Sequence, residues 1–91
     1  MKSLLEFFVN ERYTLLKLLC EHQVKVKDAI YVTLSQQEIA DMAHISKLKA
    51  NKIINELINQ ECVYLYNNKR GKYALTKKGL KVLQIIQENN I

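Results

Sequence analysis

"ADMAHISKLKANKII", residues 40–54, is the stretch on which the fold turns. Two amphipathic pieces meet in it at His44-Ile45-Ser46. Before the junction Ile39, Ala40 and Met42 are apolar; after it Ala50, Ile53, Ile54 and Leu57 recur at three- and four-residue intervals, the repeat of one helix face. Ser46 is placed to cap the second piece, because its hydroxyl accepts from a backbone N–H that a first helical turn leaves unpaired. The spacing predicts a helix from Lys47 to about Gln60. Upstream, "SQQE" at 35–38 is a capping box, Ser35 bonding forward and Glu38 reaching back, which predicts a helix from Gln36 to about Ala43.

Working outward, "NERYTLLKLLCEH" at 10–22 reads as a helix with Asn10 as N-cap, and Ser3 with Glu6 as caps of an earlier turn. Tyr13, Leu15, Leu16, Leu18, Leu19 and Cys20 cover more than half of its circumference, so it needs two neighbouring surfaces. After a charged connector, "YVTL" at 31–34 has the composition of a short strand. "VYLYNNKRGKYALT" at 63–76 alternates Val63 and Leu65 with Tyr64 and Tyr66, then turns through Asn68, Lys69, Arg70 and Gly71 towards Tyr73: a hairpin with a basic tip. Its tyrosines are expected to cover the core rather than stack on bases. Thr76 caps a last helix, "KKGLKVLQIIQENN", which is again apolar over more than half the wheel. The fold class is α+β, mainly helical, in the order helix, strand, helix, helix, hairpin, helix.

With 91 residues, no proline and glycine only at 71 and 79, the chain reads as one domain without linkers. At that size burial barely exceeds the entropy of ordering the chain. No stretch approaches the roughly 20 uncharged residues of a membrane span, and Glu6 interrupts the opening "MKSLLEFFV", so a cytoplasmic, unprocessed protein is expected. The net charge of +5 is uneven: residues 1–43 carry five basic and six acidic side chains, and 44–91 carry nine and three. That placement suits a face that meets a polyanion. Lys, Ile and Asn supply 29 residues, a bias produced by AT-rich codons and pointing to a low-GC bacterium, plasmid or phage.

Catalysis finds no support in the sequence. There is no glycine-rich phosphate loop and no nucleophile with a recognisable base, and no cofactor is expected. Cys20 and Cys62, with His22 and His44, show neither CxxC nor zinc-like spacing, so no metal is expected either. Redox sensing would rest on one thiol, Cys62.

The run "EIADMAHISKLKANKIINELINQECVYL", residues 38–65, resembles the winged helix-turn-helix superfamily, with Ser46 where such proteins cap their recognition helix. "YALTKKGLKVL", residues 73–83, resembles the segment that leaves the wing in MarR-type and ArsR-like bacterial regulators, commonly Leu-Thr, two polar residues, then Gly. The chain departs from that pattern at His44 and Glu61, where glycine is common, and at Asn68-Lys69-Arg70, where an Asp-x-Arg is common. A non-glycine residue held at positive φ costs on the order of 1 kcal/mol.

The resemblance implies one winged helix-turn-helix domain over 1–91, with 1–9 extending the first helix and 77–91 a C-terminal helix used in dimerisation. It implies sequence-specific binding of double-stranded DNA by a transcriptional repressor. The helix 47–60 would enter the major groove and the wing 67–72 would lie on the minor groove or backbone. Ser46, Lys47, Leu48, Lys49, Asn51, Lys52 and Asn55 form the expected reading face, Asn51 and Asn55 being suited to adenine and Leu48 to a thymine methyl. Lys69, Arg70 and Lys72 are the wing cations, and Lys77 with Lys78 opens the last helix. Leu15, Leu18, Leu19, Leu83 and Ile86 are expected to join a homodimer whose reading helices stand about 34 Å apart on an inverted repeat. Two other roles fit the same residues: a plasmid or phage component for segregation, replication or excision, and a protein-interaction module. No small-molecule effector site is evident.

Overall fold

A computed structural model of the chain describes residues 11–66 and 72–88. Its elements are α1 (Glu11–Glu21), β1 (Val24–Val26), β2 (Ala29–Tyr31), α2 (Gln36–Ala43), α3 (Lys47–Asn59), β3 (Val63–Leu65), β4 (Tyr73–Leu75) and α4 (Lys77–Glu88). The expected extension of the first helix over 1–9, its cap at Asn10, and the wing tip lie outside the described residues.

The capping box forms as the sequence predicts: Glu38 N donates to Ser35 Oγ at 3.1 Å, and Ser35 N donates to Glu38 Oε1 at 3.0 Å. The other end of α2 closes on His44, which is left-handed at φ 58° and ψ 42°. There His44 N bonds to Asp41 O at 3.3 Å and Ile45 N to Ala40 O at 3.0 Å, the paired pattern of a Schellman ending. Glu61, at φ 60°, repeats the pattern after α3, with Glu61 N on Ile58 O at 2.9 Å and Cys62 N on Leu57 O at 3.0 Å. Both helices therefore stop on a left-handed residue that is not glycine, and in each case the next side chain turns inward.

One core serves the described elements. Leu15, Leu16 and Leu19 of α1 are fully buried, and α1 touches α2, α3, α4 and β4. From the other side come Ile39, Ile53, Ile54, Leu57, Val82 and Ile86. The two heavily apolar helices thus satisfy each other and the helix pair within one chain. This corrects the dimer reading of Leu15, Leu18, Leu19, Leu83 and Ile86: all five are buried in the protomer's own core and offer no surface to a second copy. Met42, matched by sequence to the apolar skeleton, is instead exposed.

The strand expected at 31–34 is also corrected. Residues 24–31 form a hairpin, β1 against β2, with Val24 opposite Tyr31 and Val26 opposite Ala29. Its two-residue turn holds Lys27 at positive φ where glycine or asparagine is usual, and most of the hairpin is exposed, so neither turn chemistry nor burial alternation marks it. Val32 alone then bridges to Tyr73, exchanging N–H···O bonds of 2.6 and 3.0 Å. That bridge ties the first hairpin to the second, in which Val63 pairs with Leu75 and Leu65 with Tyr73.

Thr76 and Gly79 explain the Leu-Thr-x-x-Gly run physically. Thr76 Oγ1 accepts from Gly79 N at 3.0 Å, capping α4, and donates to Glu61 O at 2.6 Å. Gly79 lies against the Cys62 peptide, where a Cβ would overlap the carbonyl oxygen. Replacing Gly79 by Ala should lower stability by about 1–3 kcal/mol in urea unfolding, despite roughly 1 kcal/mol of helix propensity in its favour; a raised midpoint would refute the close approach. His44→Gly should instead raise stability by about 0.5 kcal/mol, relief of left-handed strain exceeding the added freedom of the unfolded chain.

Candidate functional site

The solvent side of α3 carries the candidate site. Ser46 Oγ accepts from Lys49 N at 3.1 Å, which starts the helix and fixes its first turn. Lys47, Leu48, Lys52 and Asn55 are exposed, Leu48 at 82%. With Asn59, which the sequence reading left out of the site, Leu48, Lys52 and Asn55 fall four, three and four residues apart in one stripe. A leucine left this open has no role in the chain's own core.

Two expected members of the face are already engaged. Lys49 Nζ lies 2.7 Å from Glu11 Oε1, both side chains about half exposed. Asn51 is half-buried, and its Oδ1 accepts from Gln36 Nε2 at 2.7 Å. Next to them Arg12 sends Nη2 and Nε to Glu56 Oε2 at 2.6 and 3.2 Å. Glu11 and Arg12 open α1, so the start of α1 is strapped along α3 and forms one wall of a groove whose other wall carries Leu48, Lys52, Asn55 and Asn59 of α3. Such pairs contribute little stability in water, at most about 1 kcal/mol each, but they fix orientation. Gln36, Glu11, Arg12 and Glu56 escaped sequence reasoning because their partners lie 15 or more residues away and only folding brings them together.

The hairpin cations divide. Lys69 and Arg70 lie outside the described residues. Lys72 sits at the hairpin base rather than its tip, half-buried, with Nζ 5.3 Å from the Tyr31 ring centroid. Tyr31 stacks on Tyr66 at 4.6 Å and 17°. Among the hairpin tyrosines, Tyr73 is in the core, Tyr66 is used in that stack and Tyr64 is exposed. Lys77 and Lys78 are exposed on the first turn of α4.

Cys62 is fully buried, and burial pushes its thiol above the usual range, against a smaller opposing pull from Lys78. A shielded, protonated thiol is a poor nucleophile, which argues against redox sensing there. Among the described residues no group of three His, Cys, Asp or Glu is placed to hold a metal ion, and no helix is long and apolar enough to cross a membrane.

No family model matches the sequence, and no curated protein matches it. Solved structures do. The chain is similar to MepR of S. aureus in a complex with DNA, with a TM-score of 0.70 at 24% identity over 92% of this chain and 67% of that one. The fold is a winged helix-turn-helix. A comparable likeness holds to the reduced CO-sensing protein from R. rubrum, with TM-score 0.70 at 16% identity over 87% of this chain and 38% of that one. A CRP-family transcriptional regulator from Thermus thermophilus gives TM-score 0.63 at 17% identity over 82% of this chain and 40% of that one. The winged helix of this chain thus spans from about two fifths to two thirds of the chains it is similar to. Within it α2 and α3 are the helix-turn-helix, and β3 with β4 is the base of the wing.

The Cys62 environment sets a pH dependence. Below the unfolded-state value both states keep the proton and the native state keeps its full stability; as pH rises past it the unfolded thiol ionises first. Stability should fall above about pH 8.5, and less steeply in Cys62→Ala. In the native protein a thiol reagent should label half-buried Cys20 well before Cys62; equal rates would overturn the buried placement.

Proposed function

We propose that this winged helix binds double-stranded DNA in a sequence-specific manner, as a transcriptional regulator acting as a repressor. Helix α3 enters the major groove, and the hairpin loop with Lys69 and Arg70 lies along the adjacent minor groove or backbone. The observation that carries the reading is the exposed stripe of α3. Lys47 and Lys52 are free to meet phosphate or guanine, Asn55 can address a base edge, and Leu48 is bare enough to pack on a thymine methyl. The likeness to MepR, solved in complex with DNA, supports DNA binding by this fold.

Reading an inverted repeat requires two copies. They must meet through surface other than the five leucine and isoleucine side chains already buried within one protomer. A plasmid or phage role in segregation, replication or excision uses the same DNA-binding face and differs only in where the sites lie.

The test is fluorescence anisotropy with duplex DNA over a range of salt. Affinity should fall steeply, with a log–log slope near 0.9 per phosphate neutralised, and Lys52→Ala should reduce that slope by about 1. Lys49→Ala should weaken binding less than Lys52→Ala, because Glu11 holds the Lys49 ammonium, and Glu11→Gln should strengthen it. Wild-type affinity in both Lys47→Ala and Lys52→Ala would remove α3 as the binding face.

A further inference from the structure

Leu48 is the second residue of α3 and, at 82%, the most exposed large apolar side chain among the described residues. A lone apolar residue on a surface is ordinary; its place is what distinguishes this one. Ser46 caps the turn that carries it, Lys49 N donating to Ser46 Oγ at 3.1 Å. Two polar neighbours on the helix are already engaged: Lys49 Nζ rests 2.7 Å from Glu11 Oε1, and Asn51 Oδ1 accepts from Gln36 Nε2 at 2.7 Å. Lys47 beside it and Lys52 one turn on are exposed. The start of α3 thus presents an apolar tip flanked by two cations.

A leucine neither donates nor accepts a hydrogen bond, so it cannot sort bases by their polar edges. The apolar group that a base pair sets in the major groove is the methyl on C5 of thymine. Cytosine methylated at C5 carries the same group at the same ring position, and uracil lacks it. We propose that Leu48 recognises the C5 methyl group itself, whichever pyrimidine bears it, so that duplex DNA carrying 5-methylcytosine beneath Leu48 is a ligand of this protein. This rests on the proposed DNA-binding role and adds a regulation to it: methylation of one cytosine raises the occupancy of a site. Lys47 and Lys52 meet phosphate or acceptor atoms, and neither senses the C5 position. Burying one methyl group against Leu48 is worth about fourfold in affinity.

Paired bases isolate that contact. Thymine and uracil differ by the C5 methyl alone, as do 5-methylcytosine and cytosine, so the hydrogen-bonding groups and the partner base stay the same within each pair. Leu48→Ala shortens the side chain and withdraws it from the methyl, and Leu48→Met keeps an apolar tip there. Leu48 is not part of the core, so helix content and unfolding midpoint should match the wild type in both variants.

The experiment selects bound duplexes from a random pool with the full chain, replaces each thymine of the selected site by uracil in turn, and takes the position of largest loss. Anisotropy then measures affinity with thymine, uracil, cytosine and 5-methylcytosine at that position. Wild type and Leu48→Met should bind thymine about fourfold better than uracil, and 5-methylcytosine about fourfold better than cytosine. In Leu48→Ala both preferences should vanish. If uracil costs nothing at any position, if 5-methylcytosine is bound no better than cytosine, or if either preference persists in Leu48→Ala, methyl recognition by Leu48 is wrong while DNA binding stands. If the wild type selects no motif, both fall.

Discussion

The peptide of Glu61 and Cys62 is the point on which the rest of the fold depends. Left-handed Glu61 ends α3, its carbonyl accepts the Thr76 hydroxyl, and the Cys62 carbonyl accepts Thr76 N at 3.0 Å while Gly79 packs over it. The end of α3, the first strand of the hairpin, the last strand and the start of α4 are thus joined through two consecutive carbonyl groups. Each bond there is modest, about 1 kcal/mol net, but leaving the carbonyl of buried Cys62 unpaired beneath Gly79 would cost more than the bond contributes. That asymmetry makes the junction specific.

Helix α1 adds the second constraint. Its leucines fill the centre of the core, while its first two side chains reach across to α3 through Glu11–Lys49 and Arg12–Glu56. The same helix therefore sets both the depth of α3 on the core and its rotation about its own axis. It also makes the candidate face of α3 less basic than its lysine count implies. Three lysines open α3, yet carboxylates from Glu11 and Glu56 lie along the groove, so the free positive charge concentrates at Lys47 and Lys52.

Much of this architecture is legible in the sequence because its signals are local. The capping box at Ser35 and Glu38, the cap at Ser46 and the three-and-four spacing from Ala50 to Leu57 place α2 and α3 within a residue of where they lie. The two positive-φ corners, His44 and Glu61, are legible through the resemblance alone, which commonly has glycine at both positions. The hairpin at 24–31 is not legible: its turn lacks glycine and β1 is exposed on both faces. Excess apolar surface on α1 and α4 is open to two solutions, a second copy or each other, and helical wheels do not distinguish them. At the candidate site, residue types identify the lysines and asparagines, but which are free and which are already held depends on partners distant in sequence, as at Lys49 and Asn51.

The hairpin base tolerates change in the loop it carries. Tyr66 N bonds to Lys72 O at 2.8 Å, Val63–Leu65 pairs with Tyr73–Leu75, and Val32 clasps Tyr73 from the other side. The register is therefore anchored on the core side of residues 67–71, and loop-closure cost grows slowly with length. Insertions or deletions confined to that span leave every anchoring bond in place. A change in the length or charge of residues 67–71 can therefore be absorbed while the described hairpin base keeps its register and α3 its pose.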